Sequence, residues 1–125
     1  MMTLTRVQVT MVRTWAPGAP GDVEDHRIVF TAIIDAQAQP DVAAWLADPD
    51  PWPAERQAPG RPLRQGDVAH DEDGWSLRFP RDPTTDPDTS PHRIFNHDGG
   101  FRPGEVVTLH APNGEDTAWR VVGIG

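Results

Sequence analysis

Proline and glycine decide where this chain can be regular. Fourteen prolines and eleven glycines interrupt its 125 residues. Proline fixes φ and lacks an N–H, and glycine loosens the backbone. Regular elements are therefore confined to the short segments between them. In most of those segments the apolar residues alternate with polar ones, the period of a half-buried strand. Together these features predict a mostly β chain with much irregular backbone.

Residues 4–15 place Val7, Val9, Met11 and Trp15 on one face and Arg6, Gln8 and Thr10 on the other. After the turn-forming "APGAPGD" at 16–22, "HRIVFTAIID" (26–35) is apolar on both faces, as expected of a central strand. The pair predicts an antiparallel hairpin with a long connection. "QPDVAAWLAD" is the one helix expected. Pro40 and Asp41 stand at its start, Val42, Trp45 and Leu46 form one apolar stripe, and Pro49 and Pro51 end it.

Two long Pro-rich loops are expected, at 48–62 and 80–93. The first holds five prolines and Trp52, and is read as a loop or polyproline-like arm rather than a regular element. Trp52 either folds back onto the core as a lid or contacts a partner. Two similar units follow. "LRQGDVAHDEDGWSLRF" and "FRPGEVVTLHAPNGEDTAWRVVGI" each read as strand, polar turn and Trp-bearing return strand, launched by the Gly66-Asp67 and Gly104-Glu105 turns. Asn-Gly between apolar strands is a strong hairpin signal. With a short strand near 93–96, the count is six or seven strands. The predicted architecture is a small antiparallel β-barrel or β-sandwich, one domain over 1–125.

The hydrophobic fraction is only 37% and the mean hydropathy −0.55, but five Trp and four Phe supply large buried areas. Without cysteine, disulfides, thiol catalysis and Cys-ligated metal sites are excluded. All eleven basic residues are Arg, so a P-loop lysine and a Schiff-base lysine are excluded too. No phosphate-binding or dinucleotide-binding motif appears, and no cofactor is implied. A net charge of −8 disfavours nucleic acid and anionic membranes as partners. The first fifteen residues lack the pattern of a signal peptide, and no segment reaches the ~20 apolar residues of a membrane helix. A cytoplasmic protein is expected, and the absence of lysine suits a GC-rich bacterial genome.

Three clusters could carry chemistry. "HDEDG" (70–74) resembles part of a calcium loop, but Ala69 and Pro80 stand where acids are needed, so an acidic hairpin turn is expected. His70, Asp71, His92, His97 and Asp98 could form a His/carboxylate metal site at one barrel mouth, although their spacing lacks the i, i+2 pairing that puts two ligands on one strand face. Arg64, Arg81 and Arg93, with Arg78 and Arg102, either pair with nearby acids or line a groove for an acidic peptide or small anion. Neither Ser76 nor Ser90 lies in a nucleophile elbow.

The tail "GEVVTLHAPNGEDTAWRVVGI" resembles the last hairpin of the C-terminal domain of transcript-cleavage factors, where Gly-acid-x-Val, Pro-x-Gly and a closing Val/Ile strand recur. The resemblance covers about a sixth of the chain. That family's acidic-tipped coiled coil has no counterpart in the Pro-rich sequence here. The polymerase-linked function therefore does not carry over, and the likeness is one of hairpin construction.

The sequence thus leads to a non-enzymatic binding or adaptor protein, of the inhibitor, immunity or assembly-subunit kind. It would meet a protein partner through an acidic, Pro-rich loop surface, with Trp52, Arg64, Arg81 and Arg93 as contact residues. The alternative is a small metal-dependent or acid–base enzyme built on the His/Asp cluster.

Overall fold

Cross-strand pairs share a face, so the alternating segments can bury one row of side chains by curling around it. In the computed structural model, which describes residues 3–16, 19–60, 62–79, 93–95, 99–111 and 114–125, they do so as a closed antiparallel barrel. The elements in chain order are β1 (Thr5–Ala16), β2 (Ala19–Ile34), α1 (Val42–Ala47), β3 (Trp52–Gln57), β4 (Arg64–Asp71), β5 (Gly74–Arg78), β6 (Arg93–Phe95), β7 (Val106–His110) and β8 (Asp116–Ile124). Each strand pairs with the next in sequence, and β8 returns to β1, from Val9 opposite Ile124 to Trp15 opposite Ala118. Closure removes the free edges that an open sheet exposes. The β6–β7 join is the narrowest among the described residues, with the single pair Ile94 and His110.

The inward row of each strand fills the barrel. Val7, Val9 and Met11 of β1 face Ile28, Phe30 and Ala32 of β2, with Val107, Leu109, Trp119 and Val121 behind them, all buried. Phe30, Phe95 and Phe101 meet at centroid distances of 5.3–5.9 Å, two of the three contacts edge to face. An eight-stranded barrel has an interior about wide enough for side chains to fill, and here aromatic rings fill it.

The mostly β antiparallel fold and the single short helix are as the sequence predicts. Trp15 does not share the inner face of Val7, Val9 and Met11 but is 44% exposed, beyond the register shift of β1. Four further details differ. First, there are eight strands rather than six or seven, because β3 forms inside the proline-rich stretch. Trp52 and Ala54 of β3 point inward and are buried. Pro53 is tolerated because it lies one residue beyond the β2–β3 ladder, which ends at Phe30 opposite Ala54, so it faces only β4. Second, β1 and β2 continue to Ala16 opposite Ala19, in place of a long connection, with register shifts near Arg13 and Trp15 that take up the extra residues of β2.

Third, Leu46 is 70% exposed, while Trp45 alone packs inward from the helix stripe. Fourth, Gly66 lies inside β4 rather than in a turn. A Cβ there would stand 1.9 Å from the Arg78 carbonyl oxygen, so glycine is what lets β4 and β5 approach this closely. The likeness between the two Trp-bearing units therefore stops at their starts. Gly104, with φ +95°, does occupy a turn, and the Glu105 N–H donates to the Arg102 carbonyl at 3.0 Å. Of the second proline-rich stretch, residues 80–92 lie outside the described residues, as do residues 112–113 of the last hairpin.

Candidate functional site

Up-and-down order puts the β2–β3 and β6–β7 connections at one end of the barrel. The first of them, residues 35–51, is shaped by local chemistry. The Asp35 carboxylate accepts the backbone N–H groups of Gln37 and Gln39 at 2.9 and 3.0 Å, which turns the chain back so that Pro40 bridges Ile34. α1 has six residues and no side-chain cap. A helix this short has no stability of its own, so its position depends on its neighbours. Trp45 supplies the tie: its indole N–H donates to the Val68 carbonyl at 3.1 Å, just where the pairing of β4 with β3 ends.

Two Asp-Pro steps follow the helix. A residue before proline is held in extended backbone. Asp48 accordingly has φ −80° and ψ 121°, which ends the helix. Its carboxylate then gathers three donors: the Asp50 backbone N–H at 3.1 Å, the Trp52 indole at 3.1 Å and the Arg6 guanidinium at 3.2 Å. These hold the Asp48 carboxyl below its ordinary value of 3.8, the Asp50 N–H first among them, against a smaller opposing push from partial burial.

Behind this knot four rings pack together. Trp52 stacks on Trp75 with centroids 5.6 Å apart and planes at 13°. His70 meets the edge of Trp75 at 4.7 Å, and Trp45 closes over both.

Between this segment and the outer face of β4–β5 lies a cleft of about 280 Å³, lined by Trp45, Leu46, Asp48, Pro49, Asp50, Pro51, Asp67, Val68 and Arg78. Its walls are apolar at Trp45, Leu46, the two prolines and Val68. Its charges are three carboxylates against one guanidinium. Arg78 is already held by Asp67, through Nε at 3.0 Å and Nη2 at 3.4 Å. The side chains of that pair are 54% and 30% exposed, so solvent screens it and it contributes ~0–1 kcal/mol.

Apart from Arg78, the residues singled out from the sequence do not line this cleft. Trp52 is fully buried and spent on the core, the lid reading in its strongest form. Arg64 is half-buried opposite Arg56 on the core-facing side of β3–β4, and does not line the cleft. Arg93 opens β6 opposite Leu77. Arg81, His92, His97 and Asp98 lie outside the described residues. His70 is engaged in the ring cluster. Asp71 is exposed and accepts the Asp73 N–H at 2.8 Å, the turn role expected of "HDEDG". Among the described residues no three His, Asp or Glu side chains are placed to hold a metal ion.

Of the cleft residues, Arg78 belongs to the arginine set named from the sequence and is found paired with an acid, whereas Trp45, Leu46, Asp50 and Asp67 are not legible there as a site. The available signal was Leu46 directly before "ADPDP": a large apolar side chain followed by two acids in proline-stiffened backbone.

The chain matches no protein-family model, no curated protein and no solved structure. The tail's likeness to transcript-cleavage factors gains no support from these comparisons. β7 and β8 pair as a hairpin, as that likeness implied, and β8 is here also the closing strand of the barrel.

Proposed function

We propose that this protein is a non-enzymatic binding module that docks a protein partner on the cleft between residues 45–51 and β4–β5. One observation carries the reading. An acidic, proline-stiffened segment and a 70%-exposed leucine line one concave surface, while the barrel interior is taken up by side chains. A contiguous exposed apolar patch bordered by polar residues marks a partner surface, and Leu46 lines one concavity with Trp45, Pro49 and Pro51 beside three carboxylates. Prolines lower the ordering cost of the segment that presents them. No helix among the described residues is long and apolar enough to cross a membrane.

Deleting residues 50–60 is the obvious test from sequence, but it would remove β3 and the buried Trp52, and with them the barrel wall. Point changes on the exposed rim avoid this. Immobilised protein and its Leu46→Asp/Asp50→Arg variant would be compared for capture of partners from the native host. A protein retained by the parent and lost by the variant supports the reading. Equal capture by both contradicts it.

A further inference from the structure

We propose that the cleft takes an extended segment of a partner protein in which an arginine or lysine stands next to a large apolar residue. This deepens the docking reading above and rests on it.

Two of the three carboxylates of the cleft are already engaged. Asp48 is committed to Arg6, Trp52 and the Asp50 N–H, and Asp67 to Arg78. Asp50 is exposed, and its carboxylate accepts no hydrogen bond among the described residues. The cleft therefore keeps one unengaged anion, with a second held only in a solvent-screened pair that an incoming guanidinium can share. Leu46, half a turn before the Asp-Pro steps, offers its side chain to solvent on the same surface. The exposed face of Trp45 and the rings of Pro49 and Pro51 extend that apolar strip. Asp50 and Leu46 line the same cleft, so one segment can bring a cation to the first and an apolar side chain to the second.

Charge complementarity decides among occupants. An acidic peptide or a phosphate group would meet three carboxylates. A second copy of this chain, with its net charge of −8, would also bring a negative surface to a negative one. A basic, apolar segment satisfies both linings at once. Its extended form matches a groove whose one wall is the outer face of a β-ladder and whose other is proline-stiffened backbone.

The test is selection of a random heptapeptide library displayed on phage against the whole protein. Selected peptides are then titrated against the parent, Asp50→Asn and Leu46→Ser. Both positions are exposed, and thermal unfolding of the variants shows whether the fold is kept. The expected consensus has Arg or Lys beside Leu, Ile, Phe or Trp. Asp50→Asn should weaken binding about tenfold, and affinity should fall as salt rises. Selected peptides that are acidic or uncharged, yet shift the Trp45 indole N–H resonance, overturn this inference and leave the docking reading standing. Peptides that bind without moving Trp45, or the absence of any selected peptide, overturn both.

Discussion

Trp52 lies nearly parallel to Trp75, with ring centroids 5.6 Å apart. Trp52 is the first residue of β3 and Trp75 the second of β5, so the stack joins two strands that have no backbone pairing with each other. The Trp52 N–H continues the link to Asp48, and Asp48 carries it to Arg6 on β1. One aromatic side chain thus ties the cleft segment to three strands.

Removing that ring should cost more than any other single truncation at this end of the barrel. Trp52→Ala is expected to lose about 3–5 kcal/mol, the range for large aromatic side chains in a packed core. Trp52→Phe removes the N–H together with part of the stacking ring, for a smaller loss of ~1–3 kcal/mol. Urea unfolding of the two variants should rank them in that order. Equal losses would contradict that ranking.

Acid should act through Asp48. Its folded-state carboxyl titrates below 3.8, the ordinary value taken for the unfolded chain. The stability it contributes is therefore present above pH 3.8 and is lost as pH falls through the lower folded-state value. Melting temperatures measured from pH 5 to pH 2 should fall more steeply for the parent than for Asp48→Asn, which has no charge to lose. Parallel curves would contradict this.

Gly66 should not accept a side chain. An alanine Cβ would lie 1.9 Å from the Arg78 oxygen and 2.9 Å from the Phe79 Cα, both backbone atoms that cannot swing aside. Gly66→Ala is expected to cost about 1–3 kcal/mol or more, as overpacking does. By contrast, Gly60→Ala meets no atom within 4 Å and is penalised only by its φ of +69°, at about 1 kcal/mol. Denaturant midpoints of the two variants should rank in that order.

The Asp67–Arg78 pair should matter little for the fold. A double-mutant cycle on Asp67→Asn and Arg78→Gln is expected to give a coupling below about 1 kcal/mol in unfolding. A larger coupling would mark the pair as structural and make it unavailable for exchange with a ligand cation.

The sequence reveals the barrel walls more readily than the candidate site. Val7, Val9 and Met11 alternate because they line a wall that is wet on its other side, and alternation is local information. The hairpin of β7 and β8 is legible for the same reason. β3 is hidden because prolines argue against pairing. Its strand survives only because Pro53 falls beyond one ladder, and that register depends on β2. Trp52 could be read as a lid or as a contact, and the stack on Trp75 that decides between them joins residues far apart in sequence. Leu46 fits the helical stripe of Val42 and Trp45 by spacing. A helix of six residues turns too little surface inward to bury all three. The cleft itself joins α1 to the outer face of β4–β5, and no periodicity encodes that meeting.

The measurement that tests the account most directly is a titration of the isotopically labelled protein with a selected basic, apolar heptapeptide, followed by two-dimensional NMR. The Trp45 indole N–H and the backbone signals of Leu46, Asp50, Asp67 and Arg78 should move together with one saturation curve. In Asp50→Asn that curve should shift to higher peptide concentration. Movement confined to the opposite rim, around Arg56 and Arg64, with the Trp45 signal unchanged, would contradict it.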